Sequence, residues 1–187
     1  QKSLADSEHI KTIMLKSNAV NFYAPIFKLN EALNLSFDDL NADEQDYYYR
    51  IEHCDMDWLP SGLRASEVVE GYTEDRIRDY ENSFNTLQPY THYKVTIPND
   101  NTRLKISGNY KIYVYNEDDE MAFMRKFVVY EPKTTVGVSV HRSRDLAKIQ
   151  TNQSVEFIVD NPNFRINNPK QELFPLIFQN NNWETAI

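Results

Sequence analysis

The 187-residue sequence has a single cysteine, only four glycines and no apolar run near the length of a membrane-spanning helix, about 20 residues. The lone cysteine, Cys54, cannot form a disulfide within the chain. Glycine is too scarce for collagen-like or glycine-rich linker sequences. These absences exclude several fibrous and disulfide-stapled classes, and no direct membrane insertion is expected.

Basic residues are in the minority. The chain has 20 Lys and Arg against 28 Asp and Glu, a formal net charge of -8. An acidic protein is repelled by phosphate backbones and by anionic lipids, so no nucleic-acid partner is expected.

Recognisable catalytic and cofactor motifs are also missing from the sequence. It contains no glycine-rich phosphate loop, no G-x-S-x-G, no H-E-x-x-H and no calcium-loop spacing. No catalytic, cofactor-binding or metal-binding residues are therefore predicted.

Aromatic residues, by contrast, make up 13% of the chain, and the hydrophobic fraction of 41% supports a packed core. Helical periodicity is nearly absent, whereas alternating apolar and polar residues recur between Asn, Asp, Pro and Gly. The pattern predicts an all-β fold with early strands at residues Ile10 to Leu15, Ala24 to Leu29, Leu33 to Phe37, Tyr47 to Cys54 and Tyr90 to Ile97.

The stretch from Leu104 to Val114 is the most informative for the type of sandwich. Its apolar residues fall on every second position, and Gly108 comes just before Tyr110 at the start of a strand. Immunoglobulin-like sandwiches carry a tyrosine corner at such a place, where the ring fills the core and the hydroxyl holds the preceding turn. The sequence therefore predicts an immunoglobulin- or fibronectin-like β-sandwich.

Two domains are predicted. Residues 1–132 form the sandwich, with a long and partly irregular excursion at 58–89, an acidic hairpin loop at 116–120 and a closing strand up to Tyr130. Residues 133–187 contain alternating strands around Val138 and Phe157 and a short apolar run from Leu173 to Phe178. Three or four strands are too few for a well-buried sandwich, so this part is interpreted as the start of a second β domain.

The segment YYYRIEHCDMDW, residues 47–58, gathers residue types that can perform chemistry. His53, Cys54, Asp55 and Asp57 could be a metal site, but alternation along a strand sends His53 and Cys54 to opposite faces. A catalytic role for Cys54, or for the two aspartates in a hydrolase, would need further groups that the sequence does not indicate. The favoured interpretation is a strand followed by an Asx turn, with an inert thiol and Trp58 capping the core.

Tyrosines suggest a second possible function. Tyr47, Tyr49, Tyr90 and Tyr93 could form a stacking platform in a carbohydrate-binding or cell-surface module. Tyrosine also packs well in half-buried strands with its hydroxyl in water, and core packing is favoured here.

A family resemblance is carried by YYYRIEHCDMDWLPSGL, then EGYTEDRIRDYENSFNTLQPYTHYKVTIPN, then SGNYKIYVY. These segments resemble the plug protein of the type IX secretion system of Bacteroidota over most of residues 10–132, and more weakly beyond. The resemblance implies that the chain is the N-terminal portion of a longer protein, exported to the periplasm after removal of a leader.

The same resemblance implies a non-enzymatic role. The protein would occlude the periplasmic opening of the large outer-membrane β-barrel translocon when no cargo is engaged. A contact surface for that partner is predicted in the segment from Glu70 to Phe84. The alternative is that the charges of this segment brace the sandwich, with Arg76 or Arg78 paired to Asp75 or Asp79. The predicted partner-binding residues are Tyr72, Arg76, Arg78, Asp79, Tyr80 and Phe84.

Overall fold

The structure is a computed structural model that describes residues 6–17, 25–162 and 165–177. The described residues are almost all strand and loop, which confirms the all-β prediction. The chain divides into two compact units, Gln1–Glu131 and Pro132–Ile187, which are described separately. In the described ranges, no helix has the length and apolarity needed to cross a membrane.

The described residues of the first unit form eleven strands and one single-turn helix. They are β1 (Ile10–Ser17), β2 (Ile26–Lys28), β3 (Leu33–Asp39), β4 (Tyr47–Cys54), α1 (Ala65–Val68), β5 (Val69–Gly71), β6 (Glu74–Arg76), β7 (Asp79–Asn82), β8 (Thr91–Ile97), β9 (Thr102–Leu104), β10 (Gly108–Asn116) and β11 (Met121–Tyr130). Ala24, the first residue of the second predicted strand, lies outside the described residues.

Two sheets make up the sandwich. One has the order β1-β3-β8-β7, and the other has the order β2-β11-β10-β4-β6. In both sheets most neighbours are antiparallel, but β2 runs parallel to β11. This order corresponds to the ABED and CFG sheets of an immunoglobulin domain, extended by a strand on each side of the second sheet. A separate short ribbon joins β5 to β9.

Aromatic rings fill the space between the sheets. Phe37 of β3 stacks on Tyr93 of β8 and meets Tyr47 and Phe123 of the opposite sheet edge-on, each at 5.1 Å between centroids. Alternation along β3, and from Tyr47 to Glu52 of β4, puts Phe37 and Tyr47 inside, because successive residues of a strand point to opposite faces. The core is therefore largely aromatic.

Each buried tyrosine hydroxyl finds a partner. Tyr47 donates to the buried Asp39 carboxylate at 2.9 Å, and Tyr93 donates to the Gln45 carbonyl at 2.8 Å. Burial, reinforced at Tyr47 by the neighbouring carboxylate, raises the pKa of both phenols. Tyr49 is fully buried as well, with its hydroxyl 2.7 Å from Thr102 Oγ1. Core packing, the favoured interpretation, is thus confirmed for three of the four tyrosines of the possible sugar platform.

The predicted tyrosine corner is present at the start of β10. Tyr110 is fully buried, and its hydroxyl donates a 2.7 Å hydrogen bond to the Ile106 carbonyl. Gly108 lies in front of it with φ +149°, and a Cβ there would come within 2.3 Å of His53 Nε2. Glycine is favoured at this position because its φ is positive and because the His53 ring occupies the space of a Cβ.

The segment 58–89, predicted as a long and partly irregular excursion, contributes an edge strand to each sheet. It contains α1 and three short strands, of which β6 pairs with β4 and β7 pairs with β8. Both lie at sheet edges and are largely exposed, so their sequences EDR and DYEN carry no alternating apolar pattern. The rule that detects half-buried strands cannot find strands of this kind.

The second unit contains β12 (Thr135–Arg142) and β13 (Gln153–Asp160), an antiparallel pair that confirms the two alternating strands, and α2 (Pro169–Glu172). The short apolar run from Leu173 to Phe178 forms no strand over its described residues, 173–177. Pro175 explains this, because proline has no N–H to donate to a sheet. Phe178 lies outside the described residues. That the unit begins a second β domain stays a prediction.

Candidate partner-binding surface

The segment YYYRIEHCDMDW forms β4 and the turn after it. His53 lies under the tyrosine corner, with Nδ1 2.7 Å from Ser61 Oγ and its ring edge-on to Tyr110 at 4.9 Å. Asp55 Oδ1 accepts the backbone N–H groups of Asp57 and Leu59, which is the predicted Asx turn. Across the described part of the chain, no three His, Cys, Asp or Glu side chains are grouped to hold a metal ion.

Cys54 and Trp58 differ in their surroundings. Cys54 is buried, and burial raises the pKa of its thiol, so the thiolate needed for nucleophilic chemistry is disfavoured. The prediction that Trp58 caps the core is wrong. Its side chain is only half-buried, with Lys126 Nζ 4.9 Å from the ring centroid. A left-handed backbone at Trp58, with φ +62°, accompanies this outward placement.

The six predicted partner-binding residues fall into two groups along the exposed edge of the sandwich. Tyr72, Arg76, Arg78 and Asp79 lie between β5 and the start of β7, whereas Tyr80 and Phe84 lie on β7 and in the loop that follows it. Asp79 opposes Lys94, and Tyr80 opposes Tyr93, in the β7–β8 register.

All of the first group except Tyr72 line an open cleft of about 300 Å³. Arg76, Arg78 and Asp79 line one side of it, and residues 94–96 and 99–101 line the other. Both charge signs are present, so the cleft has no strong preference for an anion or a cation.

The arginine head groups of this cleft are engaged within the chain. Arg78 makes two 2.8 Å hydrogen bonds to the Asp75 carboxylate, and Asn101 donates a third. The bidentate contact with Arg78 lowers the pKa of Asp75 to about 2. Arg76 pairs with Asp46, which lies in the loop before β4. The bracing interpretation is thus supported for Arg78, which pairs with Asp75, whereas Arg76 pairs with Asp46 and not with Asp75 or Asp79.

The second group lies at one end of the sandwich. Tyr80 is partly exposed and donates to Glu44 at 3.2 Å. Phe84 is 94% exposed, and Leu87, which was not predicted, is fully exposed in the same loop. The sequence does carry a signal for Leu87. It is an apolar residue among Asn, Thr, Gln and Pro, which favour loops, so burial in a strand cannot account for it.

Three loops meet at this end. In the β3–β8 and β7–β8 registers, Thr91 opposes both Asp39 and Asn82, and in the other sheet Tyr47 opposes Asn116. Because Tyr47 also bonds Asp39, the loops at residues 40–46, 83–90 and 117–120 share one end. We call this end the acidic pole. Its acidic residues are Asp43, Glu44, Asp46, Glu81, Glu117, Asp118, Asp119 and Glu120.

Comparison with known proteins identifies the sandwich. The family described as "Type 9 secretion system plug protein 1st domain" matches residues 10–131. The chain belongs to this plug family. The match covers the strands of the first unit, from Ile10 at the start of β1 to the end of β11, and confirms the resemblance seen in the sequence.

A solved structure extends the likeness of this plug-family chain beyond the sandwich. A hypothetical protein from Parabacteroides merdae ATCC 43184 is 34% identical, with a TM-score of 0.90 over 97% of this chain. This chain spans 47% of that protein's length.

A second solved structure is a Pseudomonas fluorescens DNA glycosylase, AlkC, bound to DNA containing an abasic site analog. It is 14% identical, and the match covers 64% of this chain and 29% of the glycosylase chain. Its TM-score of 0.34 is too low to indicate a shared fold. No curated protein matches the chain.

Proposed function

We propose that the chain is part of a non-enzymatic periplasmic plug subunit of the type IX secretion translocon. In this role it occludes the periplasmic opening of the large outer-membrane β-barrel when no cargo is engaged. The observation that carries the proposal is the plug-family match across residues 10–131. The location, the partner and the occluding action are parts of the proposal.

The physical properties of the sandwich support such a role. A plug must be a rigid folded body with a polar surface, because it has to dock reversibly and stay soluble when released. The aromatic core supplies rigidity, with its tyrosine hydroxyls tied to Asp39 and Gln45. The exposed edge from β5 to β7 is predominantly charged, which suits a reversible contact.

A deletion strain tests the occluding action. We expect loss of the gene to make the outer membrane permeable to large antibiotics or dyes that normally stay outside. Expression of the full-length protein should restore the barrier, which controls for secondary effects of the deletion. Unchanged permeability together with unchanged secretion would contradict the proposal.

Co-purification tests the partner. Tagged full-length protein recovered from an outer-membrane extract should bring down a very large β-barrel. Recovery without any such barrel, combined with retardation of the protein in glycan-containing gels, would instead favour the carbohydrate-binding alternative. The structure gives that alternative little support, because Tyr47, Tyr49 and Tyr93 are buried.

A further inference from the structure

The loop between β7 and β8 presents two large apolar side chains to solvent. Phe84 is 94% exposed, and Leu87, three residues later, is fully exposed. Single exposed apolar residues are common on protein surfaces, but two such side chains on one short loop form a candidate contact site.

This loop is held by its own hydrogen bonds. The N–H of Ser83 donates to the Tyr90 carbonyl at 2.8 Å, and Tyr90 N–H donates to Ser83 Oγ at 2.9 Å. Thr86 Oγ1 donates to the Gln88 carbonyl, and the Gln88 amide reaches the Leu40 carbonyl of the neighbouring loop. An ordered loop loses little conformational entropy on docking, so exposed apolar side chains on it can act as anchors.

Charge around the loop indicates what it can bind. Three bases pair with acids of the pole: Arg76 with Asp46, Lys94 with Glu81, and Arg50 with Asp119. The remaining acids, among them Asp43 and Glu44, leave the pole acidic. An acidic surface is repelled by anionic lipid, and a second copy of the same pole would be repelled too. Because both of these are excluded, the partner that fits the acidic pole is a basic surface on another protein.

We propose that Phe84 and Leu87 are the anchor by which the acidic pole docks into an apolar pocket with a basic rim on a protein partner. The proposal rests on the proposed function in taking the outer-membrane barrel as that partner. The arginines of the cleft are not part of this anchor, because Asp75 and Asp46 already hold them.

A binding measurement tests the anchor. Full-length protein is titrated against the purified, detergent-solubilised barrel, comparing wild type with the double variant Phe84→Ser/Leu87→Ser. Removal of two central anchor side chains typically weakens binding by about 10-fold or more. The matched control is Leu146→Ser, which alters a leucine of the second unit that is 86% exposed, and its affinity should equal that of wild type. Thermal melting curves of all variants should coincide, because the altered side chains make few contacts within the fold.

The role of the acidic pole is tested by neutralising two of its carboxylates. Glu44→Gln and Glu81→Gln should slow association with the barrel at low salt, and the difference should shrink as salt is added. Glu172→Gln, in the second unit, is the control and should leave the association rate unchanged.

The binding results distinguish a failure of the anchor proposal from a failure of the proposed function. If wild type binds the barrel and the double variant binds equally well, the anchor is wrong while the proposed function stands. If wild type does not bind the barrel, both fail. Binding of wild type to phosphatidylglycerol-containing vesicles that the double variant loses would replace the protein partner with a membrane. Self-association of wild type, abolished in the double variant on sedimentation, would replace it with a second copy.

Discussion

The hydroxyl of Tyr110 donates a 2.7 Å hydrogen bond to the backbone carbonyl of Ile106, four residues before it. The Tyr110 ring stacks on Phe127 in the core, with 5.3 Å between the centroids. One side chain therefore fixes the start of β10 in two ways, by packing inside the sandwich and by closing the turn that leads into it. The same bond gives a carbonyl of the corner its donor.

Tyr110→Phe tests the corner. We expect a loss of about 1 kcal/mol in the free energy of unfolding, because the half-buried Ile106 carbonyl loses the donor that the buried Tyr110 side chain supplies. Tyr113→Phe is the control, since its hydroxyl donates to the half-buried Glu52 on the outer face of the sheet. Urea denaturation should show a clearly smaller loss for the control. Equal losses would mean that the Tyr110 hydrogen bond has no special structural weight.

Two glycines are predicted to respond differently to alanine. A Cβ at Gly108 would clash with the His53 side chain, whereas one at Gly71 would lie 2.1 Å from the backbone carbonyl oxygen of Asn101. Both substitutions should lower the melting temperature. Adding His53→Ala should recover part of the loss for Gly108→Ala, because it removes the ring that the new Cβ meets. It should recover none of the loss for Gly71→Ala, whose Cβ meets the Asn101 backbone instead. Failure of that rescue would show that backbone strain at φ +149°, not the ring, dominates at Gly108.

Much of the sandwich could be predicted from the sequence. Tyr47 to Cys54 is both the predicted and the observed strand, because one of its faces is buried and its apolar residues alternate. The corner at Tyr110 could be predicted because an inward tyrosine after a glycine has few other uses at the start of a strand. An apolar pattern predicts a strand wherever one face of that strand is buried.

The contact surface could be predicted only in part. Phe84 is among the predicted residues, but Leu87 is not, because its signal is its loop-favouring neighbours and not a periodic pattern. Arg76 looked available because its partner, Asp46, becomes visible only once β6 is placed against β4. Local sequence could suggest the Asp75 pairing but not the one across 30 residues.

Asp75→Asn is predicted to have a pH-dependent cost. The pKa of Asp75 is lowered to about 2 in the folded protein, so its stabilisation is fully present above about pH 4 and is lost as pH falls through about 2. At about pH 7 we expect a loss of about 1 kcal/mol, because Arg78 is largely exposed and solvent screens the pair. The variant and wild type should converge in acid.

Chemical denaturation at several pH values measures this difference. Glu70→Gln serves as the control, since Glu70 lies 3.8 Å from Arg103 in an exposed pair and should contribute nothing measurable. A difference for Asp75→Asn that stays constant down to about pH 2 would show that the carboxylate charge is not the cause.

Cys54 is predicted to be unreactive in the folded protein. Its side chain is buried, and burial raises the pKa of the thiol, so both access and thiolate formation are disfavoured. Labelling with an aromatic disulfide reagent at about pH 8 should be negligible in native protein and complete in concentrated guanidinium. Rapid labelling of the native protein would contradict this placement of the thiol.

Along one side of the sandwich, both sheets end in strands of only three and four residues, β6 and β7, with the charged sequences EDR and DYEN. A sheet edge offers unpaired backbone groups to any other extended chain, and long flat edges recruit copies of themselves into aggregates. Here a foreign strand would find few backbone groups to pair with and a row of charges beside them. The charged residues that prevented the prediction of these strands thus also disfavour edge-to-edge aggregation. An unfolded polypeptide passing close by would find little on this side to join.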